Sequence, residues 1–253
     1  MTTIVSRRTV PNWDNELELC FDGHMLVAGV DEAGRGAWAG PLVAGAVIFP
    51  NPHTLQAAQS AADLSEELAA LRDSKMLTEH VRERLLGAIY ESALAVGVGI
   101  VSPALIDVIG IGPSNRLAMA RAIRSMGVWP DYLVIDAFRL PTVPVQQRPI
   151  IKGDATCMSI AAASVVAKVT RDRIMHVLNE EYPAYSFAQH KGYGTPTHAA
   201  AILREGVTPV HRKSFAPIKE AMGLDGDRRP KGTGKGRRGA RQVAELLDLA
   251  DEE

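Results

Sequence analysis

Several features that would place the chain in a specialised class are scarce or missing. Its 253 residues include only two cysteines, Cys20 and Cys157, which excludes a disulfide framework and predicts free thiols in a reducing compartment. No apolar stretch is long enough to span a bilayer. The arginines near the N-terminus are not followed by the apolar segment of a signal peptide. We therefore expect a cytoplasmic protein without membrane contact.

Aromatic residues are also few, at 5% of the chain, but hydrophobic residues reach 46%, which is ordinary for a globular protein with a substantial core. The net charge of −1 says little about partners, because a basic segment over 228–241 offsets an acidic one over 245–253. Residues 225–241 contain almost nothing apolar and are expected to be flexible. We divide the chain into an N-terminal extension (1–24), a folded domain (25–224) and a basic tail with a short acidic amphipathic end (225–253).

The apolar pattern predicts a mixed sheet with helices, and hence an α/β fold. Strands are predicted over 25–30, 42–49, 94–101, 132–135 and 145–151, and helices over 78–90, with Thr78 as N-cap, and 114–126. The longest helix should begin near Asp154 and run to Leu178, with an alanine-rich stretch over 160–163 that packs very close to the sheet. Short connections favour antiparallel pairing of the second strand, and a helical connection favours parallel pairing of the fourth. Residues 51–71 are expected to form a surface insertion with a short helix, either an ornament or a partner surface.

Four acidic residues stand where α/β proteins place their ligands. Asp31 and Glu32 end an apolar run, Asp136 ends the fourth predicted strand, and Asp154 stands at the head of the long helix. Carboxylates suit Mg²⁺ or Mn²⁺, and two such ions promote displacement at phosphorus. Taken singly, Asp154 is also explained as a helix N-cap, Asp136 as a strand-ending acid, and the adjacent pair would point to opposite faces of a strand. Their joint placement favours a metal site.

Glycines surround an arginine directly after the first two acids, as Gly34, Arg35 and Gly36. Glycine lets the backbone approach a ligand closely because it has no Cβ. The stretch over 27–36 therefore predicts a site for hard cations beside a phosphodiester.

Five motifs in a fixed order closely resemble bacterial ribonuclease HII. They are Asp-Glu-Ala-Gly-Arg-Gly (31–36), Asp-Ser-Lys-Met-Leu (73–77), Val-Ile-Asp (134–136), Lys-Gly-Asp (152–154) with the helix after it, and His-Lys-Gly-Tyr-Gly-Thr (190–195). The resemblance implies an RNase H-like fold, a mixed five-stranded sheet flanked by helices with a C-terminal helical part. It also implies a metal-dependent endonuclease that hydrolyses the RNA strand of RNA–DNA hybrids. Such an enzyme also cuts on the 5′ side of single ribonucleotides in duplex DNA and leaves a 3′-hydroxyl and a 5′-phosphate.

The residues that the resemblance assigns fall into two groups. The catalytic acids, which are also the ligands of two Mg²⁺ or Mn²⁺ ions, are Asp31, Glu32, Asp136 and Asp154. The substrate-binding residues are Gly34, Arg35, Gly36, Ser74, Lys75 and Tyr193. The glycine loop and Tyr193 would read the 2′-hydroxyl where RNA passes to DNA, and the residues at 74 and 75 would contact phosphate. Without the resemblance, Tyr193 is a loop residue between two glycines, and Lys75 a solvated lysine.

Some features remain open or depart from the family. Ala37 and Trp38 stand where the family usually has a proline after the glycine loop. Lys168 and Arg171, on the long helix, either contact phosphate or pair with nearby acids. The basic tail either adds sequence-independent affinity for nucleic acid or has no partner, and residues 242–249 are a candidate docking segment for a replication or repair partner such as a sliding clamp.

Two rival functions are distinguishable from the expected one. Ribonuclease HIII resembles this family but normally carries an extra N-terminal substrate-binding domain, whereas only residues 1–24 precede the domain here. A non-catalytic nucleic-acid binder with the same fold would have lost at least one acid, and all four are present. We expect a monomer that acts on RNA–DNA hybrids and ribonucleotide-containing duplexes.

Overall fold

A five-stranded sheet forms the centre of the computed structural model, which describes residues 10–50, 68, 71 and 77–224. The strands are β1 (Val27–Ala33), β2 (Leu42–Ile48), β3 (Ala95–Val101), β4 (Tyr132–Asp136) and β5 (Gln146–Ile150). They lie in the order β3-β2-β1-β4-β5. Strand β2 pairs antiparallel with β1 and β3, whereas β4 pairs parallel with β1 and β5. The mixed five-stranded sheet predicted from the sequence is confirmed.

Helices flank the sheet and continue the domain beyond it. In chain order they are α1 (Asp14–Phe21), α2 (Glu79–Ser92), α3 (Pro103–Ile109), α4 (Ile111–Ser125), α5 (Met158–Glu181), α6 (Phe187–His190), α7 (Pro196–Glu205) and α8 (Ala216–Ala221). Helix α2 has the predicted N-cap, since Thr78 Oγ1 accepts a hydrogen bond from Val81 N. No helix within the described residues is both long and apolar enough to cross a membrane.

Alternate residues of the strands pack against different helices. On β2, Ala44 and Ala46 belong to the core beneath α4, whereas Val47 belongs to the core beneath α5. Because successive side chains of a strand point to opposite faces, the two helices cover opposite faces of the sheet. The small helices α6, α7 and α8 enclose a separate apolar cluster that includes Phe187 and Ile218.

Helix α5 lies unusually close to the sheet, as its alanine-rich start predicts. A Cβ added to Gly29 on β1 would stand 2.1 Å from the carbonyl carbon of Ser159, and one added to Gly45 on β2 would stand 2.3 Å from the carbonyl oxygen of Ala163. Both strands therefore require glycine at the contact. Gly29 lies two residues before Asp31 on β1, so this contact places the start of α5 next to the part of the strand that carries Asp31.

The start of α5 differs from the prediction. Asp154 lies in a separate 3-10 turn (Gly153–Ala155), and the helix itself begins at Met158 after an extended Cys157. Cys157 is extended because it forms a bridge with Asn12, and this pairing interrupts the helical backbone. The interpretation of Asp154 as an N-cap of the long helix is therefore wrong.

Two predicted segments fall wholly or mainly outside the described residues. The tail at 225–253 is one of them, and the insertion at 51–71 is the other, except for Leu68 and Leu71. These two leucines are buried in the core beneath α2 and α5. The segment predicted as an N-terminal extension contributes α1, whose Leu19 is buried against β1 and β4.

Candidate active site

The predicted acids occupy the ends of two adjacent parallel strands and the turn that follows them. Val30 on β1 pairs with Ile135 on β4, so Asp31 and Asp136 are the next residues at the same edge of the sheet. Asp136 Oδ1 accepts a hydrogen bond of 2.8 Å from Gly153 N, which ties the β4 carboxylate to the turn that carries Asp154.

Asp31 and Glu32 both lie within β1, which continues pairing with β2 as far as Ala33. Alternation along the strand places Asp31 on the α5 face with Gly29, and Glu32 on the opposite face. The two carboxylates therefore reach the same edge of the sheet from different sides of one strand. Glu32 N donates a hydrogen bond of 2.7 Å to Asp31 Oδ1, which fixes the Asp31 carboxylate against its neighbour.

The charges of the other three acids act on the Asp31 carboxylate. Asp31 is 4% exposed. Burial, followed by the negative charges of Glu32 and Asp136 and then of Asp154, raises the pKa of Asp31 well above its usual range, against the opposing hydrogen bond from Glu32 N. The structure thus brings the four predicted acids into one electrostatic cluster.

This donor set fits hard divalent cations. Among residues 10–50, 68, 71 and 77–224, no group of three or more His, Cys, Asp or Glu side chains is arranged so that it could hold a metal ion. Mg²⁺, however, is usually held by a few carboxylates together with water and substrate phosphate, and not by a cage made only of protein. A cation beside Asp31 would also offset the repulsion that raises its pKa. The residues present therefore suit Mg²⁺ or Mn²⁺.

The two glycines of the predicted substrate loop differ in their surroundings. Gly34 is buried with a φ of +90°, and a Cβ added there would stand 1.9 Å from Arg171 Nε. Gly36 is exposed, and a Cβ added there would meet no atom within 4 Å. Arg35 between them is exposed, with its guanidinium carbon 4.7 Å from the centre of the Phe138 ring. Packing requires glycine at position 34, whereas position 36 presents open backbone.

Two fully buried arginines hold the backbone around this loop. Arg171 and Arg212 are both 0% exposed, and burial lowers the pKa of each, that of Arg212 to about 9. Both guanidinium groups donate hydrogen bonds of 2.9–3.1 Å to main-chain carbonyls. Arg212 donates to the carbonyls of Arg35, Gly40 and Pro41. Arg171 donates to those of Ala39 and Pro41. Sequence reasoning offered phosphate contact or acid pairing for Arg171, but this side chain bonds to the backbone. Acid pairing holds for Lys168, whose Nζ lies 2.6 Å from Asp172 Oδ1.

Arg171 also joins the glycine loop to Tyr193. Its guanidinium carbon lies 5.3 Å from the centre of the Tyr193 ring, while its Nε adjoins Gly34. The Tyr193 side chain remains 37% exposed, so part of the ring is available to a ligand. Two predicted substrate-reading elements that are distant in sequence therefore meet across one buried arginine.

Trp38, which with Ala37 replaces the proline usual in the family, supports the Tyr193 segment. Trp38 N donates to Gly192 O at 2.8 Å, and a Cβ added to Gly194 would stand 2.2 Å from the indole ring. The departure from the family pattern thus leaves the loop packed, because the indole fills the space that Gly194 leaves.

A stack of buried histidines beneath Tyr193 was not found by sequence reasoning. The rings of His190 and His198 stack with centroids 4.5 Å apart, and His198 Nε2 lies 3.1 Å from His211 Nε2. His198 Nδ1 lies 3.0 Å from Tyr193 O and holds that main chain. Burial lowers the pKa of His198 and His211 to about 4, so both are neutral at pH 7. The only sequence signal was the spacing of three histidines in one segment, which does not separate buried from exposed rings.

Ser74 and Lys75, the predicted phosphate contacts, lie outside the described residues.

Comparisons with known proteins identify the family. A family model described as Ribonuclease HII matches residues 28–218. The ribonuclease HII of Dehalococcoides mccartyi is 46% identical over 209 residues, which cover 83% of this chain and 94% of that protein. The ribonuclease HII of Geobacillus thermodenitrificans is 51% identical over 209 residues, or 83% of this chain and 75% of that protein.

Solved structures share the fold. The ribonuclease H2 of Pyrococcus horikoshii superposes with a TM-score of 0.64 at 26% identity and covers 80% of this chain and 100% of that one. The RNase HII of Archaeoglobus fulgidus, solved in complex with PCNA, gives a TM-score of 0.60 at 22% identity over 81% of this chain and 98% of that one. With the family match and the curated relatives, these findings show that the chain belongs to the ribonuclease HII family and is a metal-dependent ribonuclease H.

Proposed function

We propose that this enzyme hydrolyses the RNA strand of RNA–DNA hybrids and cuts on the 5′ side of single ribonucleotides embedded in duplex DNA. The products are a 3′-hydroxyl on the upstream strand and a 5′-phosphate on the ribonucleotide. The observation that carries the proposal is the joining of Gly34 and Tyr193 across Arg171, on the same strand end as the Asp31 carboxylate. The proposed site of phosphodiester hydrolysis is thereby next to a site that can recognise the sugar of the nucleotide.

The acids would hold two Mg²⁺ or Mn²⁺ ions, with Asp31 and Asp136 central and Glu32 and Asp154 completing the set. When bound, such ions activate water and stabilise the leaving oxygen of an in-line displacement at phosphorus. The protein orients the ligands beforehand: Gly153 N holds one oxygen of Asp136, and Glu32 N holds one oxygen of Asp31. Hydrogen bonds of this kind to ligating carboxylates commonly govern metal affinity.

Discrimination between RNA and DNA would fall to the exposed backbone at Arg35 and Gly36 and to the Tyr193 ring. A 2′-hydroxyl both donates and accepts hydrogen bonds, so main-chain groups without a side chain in the way can recognise it. The Tyr193 ring would stack on the sugar of the next nucleotide and disfavour a 2′-hydroxyl there. The 2′-hydroxyl is recognised and does not act as the nucleophile. No histidine base is required, and His198 and His211 hold main chain.

The assignment is tested by mapping the cleavage site on a DNA duplex with one embedded ribonucleotide. The enzyme should cut once, on the 5′ side of that ribonucleotide, in Mg²⁺ or Mn²⁺, and a chelator should abolish the product. Asp136→Asn should lower the rate about 100-fold or more, the scale expected when a ligand of the reacting centre is lost. Asp22→Asn, a change of the same kind on the exposed end of α1, should cleave like the wild type.

Full cleavage by Asp136→Asn would remove the metal-ligand assignment. Binding without any product in the wild type would instead favour the non-catalytic alternative. Comparison of the single-ribonucleotide duplex with a long hybrid separates this function from that of ribonuclease HIII, because only the proposed function predicts cutting at an isolated ribonucleotide.

We also propose an oligomeric state, a cellular location and a role for the tail. We propose a cytoplasmic monomer in which residues 242–249, outside the described part of the chain, bind a replication or repair partner. The complex of the Archaeoglobus fulgidus protein with PCNA is a reason to test this. Co-purification of a clamp protein with the full chain, but not with a chain lacking those residues, would support it.

A further inference from the structure

The N-terminal segment around α1 lies ahead of the matched family residues and contacts the start of α5. Asn12 N donates to Thr156 O over 3.3 Å, and Met158 N donates to Asn12 O over 3.1 Å. This exchange is the bridge that keeps Cys157 extended. The segment therefore determines where α5 begins.

Glu16 on α1 makes the second contact with the start of α5. Its side chain is buried, and Oε1 accepts hydrogen bonds from Ser159 N at 2.8 Å, from Ser159 Oγ at 2.7 Å and from Cys157 Sγ at 3.2 Å. Burial and the charge of Glu16 raise the pKa of the Cys157 thiol well above its usual value, so the thiol stays protonated and donates.

These bonds provide a helix cap from another helix. The first N–H groups of a helix have no partner within it, and the residue before the helix normally accepts from one of them. Cys157 occupies that position in α5 and makes no such side-chain bond, whereas Glu16 accepts from Ser159, the second residue of the helix. A carboxylate at this end of the helix also interacts favourably with its dipole.

The capped segment is connected to the proposed metal ligands by consecutive hydrogen bonds. Cys157 N donates to Gly153 O at 2.9 Å, and Gly153 N donates to Asp136 Oδ1 at 2.8 Å. Asp154 lies between these anchors, in the turn Gly153–Ala155. A displacement of Cys157 would therefore move both Asp154 and the group that orients Asp136.

Only one of the two carboxylate oxygens of Glu16 is used in these hydrogen bonds. Oε2 is buried and has no hydrogen-bond partner among the described residues. A buried carboxylate oxygen without a partner opposes folding, so such a group requires an explanation beyond stability. Orientation of the turn that carries Asp154 is such an explanation.

We propose that Glu16 is a positioning residue for the metal site: by capping α5 from α1, it holds the turn Gly153–Ala155 so that Asp154 and Asp136 meet the cations together. The proposal rests on the proposed function of these two acids as metal ligands. Glu16 touches neither the substrate nor the ions.

The test compares Glu16→Ala with Glu18→Ala, which removes an exposed carboxylate from the same helix. Glu18 pairs with Arg148 at 2.9 Å on the surface, away from the start of α5. For Glu16→Ala we expect the Mn²⁺ midpoint to rise about 10-fold, both in cleavage and in calorimetric titration of Mn²⁺ without nucleic acid. Saturating Mn²⁺ should restore most of kcat, and the KM for the duplex should stay the same. Glu18→Ala should behave like the wild type.

A conservative variant separates positioning from general stability. Glu16→Gln keeps an oxygen that can accept from Ser159 N, so its Mn²⁺ midpoint should return to within about 3-fold of the wild type. If Glu16→Ala does not fold, Ser159→Ala should raise the midpoint in the same direction by a few-fold, because it removes the Oγ bond to Glu16 and the 3.5 Å contact of Oγ with Cys157 Sγ but keeps the bond from Ser159 N. A wild-type Mn²⁺ midpoint in the folded variants would overturn the proposal, as would a loss of kcat that saturating Mn²⁺ does not restore.

Asp154→Asn is measured alongside these variants. If Asp154→Asn cleaves and binds Mn²⁺ like the wild type, the proposed function of the acid fails. If Asp154→Asn is impaired and Glu16→Ala is not, only the positioning role fails.

Discussion

Alanine at the two glycines of the substrate loop should affect stability differently, because one glycine serves packing and the other faces solvent. At Gly34, alanine must adopt a φ of +90° and place its Cβ 1.9 Å from Arg171 Nε. The left-handed backbone costs about 1–2 kcal/mol. The clash displaces a buried guanidinium whose hydrogen bonds to Ala39 and Pro41 contribute about 1.5–3 kcal/mol each.

Together these contributions predict a loss of roughly 2.5–5 kcal/mol in the free energy of unfolding of Gly34→Ala, if one of the two hydrogen bonds is lost. For a domain of this size, such a loss lowers the thermal midpoint by roughly 10 °C. Cleavage should fall as well, because the displaced Arg171 no longer supports Tyr193.

Gly36→Ala should leave stability within about 0.5 kcal/mol of the wild type, since the added methyl meets no atom and the backbone is not left-handed. Its kcat/KM on a single-ribonucleotide duplex should nevertheless fall about 10-fold, because the methyl stands where the sugar would approach. Thermal unfolding of both variants, with cleavage assays on the folded protein, measures the difference. An unchanged thermal midpoint for Gly34→Ala would refute the packing argument, and wild-type cleavage by Gly36→Ala would refute the substrate-loop assignment.

Three further predictions concern the acids, the tyrosine and the histidines. Burial and the neighbouring carboxylates raise the pKa of Asp31, which opposes folding of the metal-free protein at pH 7. Asp31→Asn should therefore raise the thermal midpoint of the metal-free protein while abolishing cleavage and stabilisation by Mn²⁺. Thermal unfolding with and without Mn²⁺ measures this, and a lower metal-free midpoint would contradict it. Tyr193→Ala should reduce cutting at the RNA–DNA junction about 10-fold or more, while duplex binding changes less than about 3-fold. Tyr193→Phe keeps the ring and should keep most of the activity. A parallel loss of binding and cutting would count against stacking at the junction. The pKa values of His198 and His211 are lowered from 6.5 to about 4, so the unfolded chain takes up protons first as the pH falls. The free energy of unfolding should therefore decrease from pH 6.5 towards pH 4, by up to about 1.4 kcal/mol per pH unit for each histidine. In His198→Gln the decrease should be smaller. Urea unfolding at several pH values measures both proteins, and an equal decrease in the two would show that the histidines do not cause it.

Local patterns in the sequence were sufficient for the sheet. Apolar runs such as the one ending at Asp136 are short and bounded by turn residues, and the lengths of their connections favour one pairing direction over the other. Strand boundaries moved by a few residues at most, as for β1, because the ends of a ladder depend on the partner strand. The start of α5 could not be predicted, since the pairing of Cys157 with Asn12 joins residues far apart in the chain.

For the candidate site, too, some features are local in the sequence and others depend on tertiary contacts. The sequence alone selected the residues that we propose to carry the chemistry: acids at strand ends and glycines beside Arg35 are local features, and their residue types restrict what they can bind. Only the tertiary structure decided that Arg171 lies between Gly34 and Tyr193, that buried histidines hold the main chain of Tyr193, and that Glu16 caps α5. These contacts join residues distant in sequence through burial and hydrogen bonding, and no local pattern distinguishes a buried arginine or glutamate from an exposed one.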